Sequence, residues 1–385
     1  MIETEKMTGR QIRSMAFLMT MGGIFVIGGT KEAGEESYLA ALFSAAAIFP
    51  LYALYEYLLA NAGAGGLFAL CRRCLGPVFG RISIALLGLY ALIIGSALFG
   101  NYLNFIYTVF LTDTALLTVG VATAAAVALA ARCGRMALAR TARIIQYVVL
   151  GILSVTLFLS LFVIAPENFP LPVMANGFSA IASGSFSLTM LPFGDAVILL
   201  PLLDGGTGRR GSKNLMKGAG ITWALLSVIF LRNVLALGAS SYGILFFKSF
   251  VAVRIISVGA FFQRIEILVS VVYILCDAFK LVVCTRCIMK CLDELTGIPS
   301  GEENAAFSAP AVFLMLGLAA AFIENQWHIT RFLQVSKYLA MPFTIVLPGI
   351  LALCCWIQTF RNRGRLPTGC ISSNAQAHEP GNRRW

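Results

Sequence analysis

Long apolar stretches separated by short polar ones run through most of the chain. A helix needs about 20 mostly apolar residues to cross the hydrocarbon core of a bilayer. Ten stretches answer that description: roughly 10–30, 38–60, 79–109, 114–131, 143–164, 178–203, 214–239, 262–291, 308–323 and 336–360. The ninth is the shortest. No connection is long enough for a soluble domain. The pattern predicts an all-α membrane protein with ten transmembrane helices in one polytopic domain, residues 1–360. The polar stretch 361–385 has the composition of a disordered tail. The opening MIETEKMTGR lacks the basic run, apolar stretch and cleavage site of a signal peptide, and is expected to stay on the mature chain.

Composition agrees with this pattern. The 385 residues are 58% hydrophobic and only 12% charged, and mean hydropathy is +0.84. Ordinary soluble domains are about twice as rich in charge, so an ordinary soluble enzyme is excluded. Only two histidines occur, His328 and His378, which leaves no room for chemistry built on several imidazoles. The net charge of +11 is distributed unevenly. Of 29 basic residues, 21 fall at the N-terminus, in every second connection, and in the tail. The alternate connections hold little beyond Lys31, Lys248, Arg254, Arg331 and Lys337. Cytoplasmic loops carry the excess of Lys and Arg, so both termini are predicted to be cytoplasmic.

Two spans contain helix breakers. Span 1 reads FLMTMGGIFVIGG, with Gly22-Gly23 near its middle. Span 6 reads SGSFSLTMLPFGDAVILLP, with Pro192, Gly194 and Asp195 inside it. Proline removes a donor and clashes with the preceding turn. Backbone freed at membrane depth is tolerated only where it is buried in protein or lines a cavity. The two breaks open the two halves of the chain, about 10–164 and 178–360. Interrupted helices at matching positions of two halves point to a transporter-type binding site. Close helix packing by small residues is the simpler explanation of the glycine pair. A half-helix starting at a break offers free N–H groups and a positive dipole end to a carboxylate, while the opposing carbonyls suit an ammonium or a cation. The ligand site is therefore placed at Met21, Gly22 and Gly23 on one side and Phe193, Gly194 and Asp195 on the other. No cofactor is needed.

Ionisable groups at membrane depth are functional candidates by default. Besides Asp195, span 8 carries Asp277 and Lys280, three apart and on one helical face. They form either a self-neutralising bridge or a cation stand-in or coupling site. Glu56 ends span 2 and is expected to reach the interface. Arg264 and Glu266 are two apart, so separate partners are expected. Cys71-x-x-Cys74 and Cys284, Cys287 and Cys291 together hold enough thiols for zinc. Cysteine is also a common small residue of apolar helices, and no metal is expected. Gly205–Arg210 lacks the G-K-[ST] ending of a phosphate loop and reads as a flexible turn.

Taken together, the segment Arg254-Ile-Ile-Ser-Val-Gly259 with Phe262-Gln-Arg-Ile-Glu266, the Phe193-Gly194-Asp195 element, Pro201, Lys280 and the paired glycines of span 1 resemble the B subunits of spore germinant receptors, the GerAB-like endospore germination permeases. The resemblance covers nearly the whole chain, with Asp195 in place of the usual Glu, Gln263 where Glu is common, and no proline near the outer end of span 1. It implies the amino acid–polyamine–organocation superfamily and a LeuT-like five-plus-five inverted repeat with broken helices 1 and 6. It also implies family-motif roles for Arg254, Arg264 and Glu266. The implied function is that of a nutrient-sensing subunit in the spore inner membrane. It would bind a small nutrient, such as an amino acid, and signal to an A-type membrane subunit and a C-type lipoprotein. An ion-coupled amino-acid transporter is the alternative.

Overall fold

The structure is a computed structural model that describes residues 7–111, 115–169, 174–203, 208–256, 264–297, 307–323 and 335–363. The predicted tail beyond these, His328, Arg331, and the Phe262-Gln263 part of the family motif lie outside the described residues. Among the described residues twelve helices follow in order: α1 Gly9–Ile27, α2 Ser37–Ala62, α3 Gly66–Val109, α4 Leu116–Arg132, α5 Arg135–Ser160, α6 Gly177–Leu202, α7 Gly208–Leu237, α8 Ala239–Tyr242, α9 Lys248–Arg254, α10 Glu266–Thr296, α11 Ser308–Ile323 and α12 Val335–Phe360. There is no strand among the described residues. Seven helices (α2, α3, α5, α6, α7, α10 and α12) are long and apolar enough to cross a membrane, while α4 and α11 are shorter apolar helices. The chain is a helical, multi-pass membrane protein.

Local chemistry sets the helix ends. Thr8 and Gln11 close a capping box on α1, each side chain taking the other's backbone N–H. The same helix stops at Gly28, whose φ of +73° suits a residue without Cβ. The third apolar stretch was expected to begin near 79, but α3 begins at Gly66. Gly76 turns the chain at φ +81° just before Pro77, so residues 66–75 form separate helical turns ahead of the long apolar run.

Two groups of helices pack internally. One is α1, α2, α6 and α7; the other is α3, α4, α10 and α11. The groups meet where α10 lies against α1 and α6, while α5 supports α1 and α10, and α12 leans on α2 and α3. Small residues let α1 and α7 cross closely. A Cβ on Gly218 of α7 would collide with the Arg13 carbonyl and Ala16 of α1. Further along the same two helices the Thr20 hydroxyl donates to Thr222 at 2.8 Å, and Asn233 of α7 donates to the Gly28 carbonyl at 3.2 Å. Many large apolar side chains face outward, among them Phe79, Leu117, Ile144, Phe158 and Trp356, each more than half exposed. Such a belt would be a liability in water and is expected of a surface solvated by lipid.

A candidate ligand cavity at two broken helices

The backbone of α1 leaves helical geometry at Gly22 (φ −6°, ψ −133°). At this point a Cβ would overlap both the Asp277 carboxylate and the Lys280 ammonium of α10. Gly23 is next to Asn101 of α3, Asp277 and Tyr273. Glycine here is a matter of close approach, because two charged side chains lie directly against the main chain.

In α6 the break is longer. Regular α-helix runs from Gly177 to Leu188, then a π-type turn covers Thr189–Phe193 with Leu191 extended (φ −135°, ψ 114°), and a 3-10 stretch completes Gly194–Leu202. The Leu191-Pro192 peptide is cis. The carbonyls released by this break find donors on α2. The Tyr52 hydroxyl donates to the Phe193 carbonyl at 3.1 Å, and the Tyr55 hydroxyl donates to the Gly194 carbonyl at 3.2 Å and to the Thr344 carbonyl at 2.9 Å. Buried donors of this kind allow a broken helix to persist away from water.

Three buried charges gather between the breaks. Asp195 accepts a hydrogen bond from the Tyr90 hydroxyl at 2.8 Å, and Tyr90 in turn stacks on Phe343. The charge of Lys280 acts on both Asp195 and Asp277. Among the described residues, however, Lys280 forms no ion pair and no hydrogen bond. Both Asp277 oxygens are buried; Tyr273 and the Gly23 N–H act on the carboxylate without completing a good hydrogen bond. The simple Asp277–Lys280 bridge is thus not formed in this structure. Tyr90→Phe will leave Asp195 short of its donor and cost about 1–3 kcal/mol, read as a lower thermal midpoint of the purified protein. An unchanged midpoint would show that the hydroxyl contributes nothing.

A cavity of about 360 Å³ touches both breaks, at Gly23 and at Leu191, Pro192 and Asp195. That is within the range of small-molecule sites. Lys280 and Asn101 complete its base, and the walls are mostly apolar, with Ile24, Ile94, Leu98 and Leu188. It reaches the surface at Lys31, Gly243 and Ile244, which line it and are exposed. At this mouth Glu32 and Lys337 pair at 2.7 Å, with Ser187 of α6 donating to Glu32 at 3.0 Å.

Of the residues placed at the site from sequence, Gly23, Asp195 and Lys280 line the cavity. Met21, Gly22, Phe193 and Gly194 are buried behind it, and a side chain on Gly194 would meet Thr344. Asp277 stands behind Gly22. Arg254 is exposed at the end of α9. Arg264 and Glu266 do approach each other, at 3.9 Å with Arg264 largely exposed. The expectation of separate partners fails because Arg264 precedes the first turn of α10, where the helical spacing rule does not apply. Glu56 accepts the Met216 N–H of α7 at 3.0 Å, so it is tied to protein. Among the described residues no three His, Cys, Asp or Glu side chains converge to hold a metal ion. Sequence reading missed Asn101 and Ser187, polar residues inside α3 and α6, and the charged groups of the mouth, which come from connections and helix ends that only the tertiary fold brings together. It also passed over Arg232, buried in α7 with the Ser160 hydroxyl as its acceptor at 3.2 Å; a lone charge in an apolar run was the available signal.

Comparison with known proteins gives two findings. Residues 6–326 match the model of a family described as "Spore germination protein". The chain is also 22% identical over 377 residues to "Spore germination protein KB" of Bacillus subtilis (strain 168), a match covering 94% of this chain and 98% of that protein.

Proposed function

The chain belongs to the family of spore germination proteins, and on that premise we propose that it is the nutrient-sensing membrane subunit of a spore germinant receptor. A small nutrient, most naturally an amino acid, occupies the cavity between the broken helices α1 and α6. It binds one arrangement of the helices better than another, and only that difference in affinity can drive a change of state. Partner subunits of the A type and the C type then read the change in the spore inner membrane.

The observation that carries this reading is the cavity at the meeting point of both helix breaks. The proposed architecture is ten crossings in a LeuT-like five-plus-five inverted repeat, about 10–164 and 178–360, with both termini cytoplasmic. Its support is the grouping of helices. α1 and α2 pack with α6 and α7, and α3 and α4 with α10 and α11, so equivalent members of the two halves fall together. The basic connections then lie on the cytoplasmic side, and the cavity mouth faces outward.

Filling the cavity tests the function. Ala97 lines it, and Ala97→Phe should abolish nutrient-triggered germination while the protein reaches its normal level in the membrane. A normal dose response would move the site elsewhere. The buried charges Asp195, Asp277 and Lys280 favour a second reading, an ion-coupled amino-acid transporter. Net uptake into proteoliposomes that depends on a proton or cation gradient would select it.

A further inference from the structure

Six charged residues line the cavity: Lys31, Glu32, Asp195, Lys248, Lys280 and Lys337. Four are cationic and two anionic, so a net positive charge borders a space with apolar walls. Most of these charges are already answered. Glu32 and Lys337 pair at 2.7 Å. Lys280 sits in the field of Asp195 and Asp277. Lys31 is exposed to solvent. Lys248 is different. It is only 8% exposed, and among the described residues it forms no ion pair and no hydrogen bond. Its ammonium lies over the Tyr242 ring, 4.9 Å from the centroid. An aromatic face is a weak partner for a buried charge. A buried ammonium without an acid is costly, and it is kept where something else supplies the anion.

We propose that Lys248 is an anion anchor of the cavity, and that the ligand presents a carboxylate to it. This rests on the reading of the cavity as the nutrient site and narrows it to carboxylate-bearing compounds, excluding neutral sugars and nucleosides. It also places the recognised anion at the mouth, on α9, rather than on the free N–H groups of a broken helix. Burial alone brings the Lys248 ammonium down to about 8. No acidic group opposes that shift. The apolar walls leave room for a hydrocarbon side chain.

The test uses the purified full-length protein and a panel of L-leucine and L-alanine, their primary amides, D-glucose and inosine, with binding read by calorimetry or thermal shift. At least one of the two amino acids should bind, and its amide at least about tenfold more weakly. Lys248→Met should weaken the amino acid by about ten- to a hundredfold and leave the amide where it was, so that discrimination between the two disappears. Lys248→Arg should restore part of it. A lost aromatic contact would lower stability for all ligands alike and would not erase that discrimination. If Ala97→Phe abolishes binding but Lys248→Met binds the amino acid as well as the wild type does, the anchor is refuted and the cavity reading stands. If neither variant alters binding, both are refuted. A panel in which only neutral compounds bind, or in which nothing does, also overturns the proposal.

Discussion

Gly22→Ala will destabilise the protein far more than Gly23→Ala, although the two positions are adjacent in one helix. A methyl group at Gly22 falls on the Asp277 carboxylate and the Lys280 ammonium together. Asp277 has no free space to retreat into, because it is fully buried and does not border the cavity. Overpacking of this kind costs about 1–3 kcal/mol in an apolar core, and displaced charges add to it. At Gly23 the nearest atom is the Asn101 amide nitrogen at 3.1 Å, the end of a side chain that can rotate. Thermal unfolding in detergent should therefore show a loss of several degrees for the first variant and a small one for the second. Nutrient response should disappear with Gly22→Ala even at a temperature where it remains folded. Equal midpoints for the two variants would mean that Asp277 and Lys280 do not lie against the Gly22 main chain.

Lys280→Met carries the other large effect. Asp195 and Asp277 flank a single ammonium, so the ionised cluster has one negative charge in excess; removing Lys280 leaves two carboxylates with none. Breaking a buried charge arrangement on one side costs about 3–5 kcal/mol, enough to reduce the amount of protein in the membrane. A second change that neutralises either acid, Asp277→Asn or Asp195→Asn, returns the cluster to its original net charge and should recover most of the lost stability. The two doubles then differ in function. Asp195 faces the cavity and Asp277 does not, so only the double that keeps Asp195 should retain a nutrient response. Lys280→Arg should recover only part, because the fork is larger and its charge more spread. Membrane blots, thermal midpoints and germination assays on these four variants decide the matter. A Lys280→Met protein as stable as wild type would show that the acids are not held by that ammonium.

Hydrophobic runs longer than a dozen residues announce helices whatever the tertiary context, so the helices could be read from the chain. The breaks were legible for a related reason. Gly22-Gly23 and Pro192 are local defects, and the backbone yields at or next to each of them. What surrounds a break was less legible. Phe193 and Gly194 lie in the interrupted stretch yet turn their carbonyls to Tyr52 and Tyr55, and no local rule says which face of an irregular segment meets a cavity. Lys248, Glu32 and Lys337 were still harder. Each stands in a polar connection or at a helix end, where charge is ordinary, and their convergence depends on how distant segments pack. The Arg264–Glu266 approach shows the limit of a periodicity argument, which holds only once the helix has begun.

One property of α7 bears on how such a protein could move. A helix interrupted at Gly22 would ordinarily behave as two rods on a swivel. Here a single uninterrupted helix runs alongside both rods like a splint. It is fastened below the interruption at Gly218 and Thr222 and above it at Asn233. The swivel is therefore locked. Any rearrangement that widens the mouth must either shear the Thr20–Thr222 fastening or carry α1 and α7 together as one lever. In the second case a displacement beside Gly23 is carried to the far end of α7, where Met216 holds Glu56 of α2.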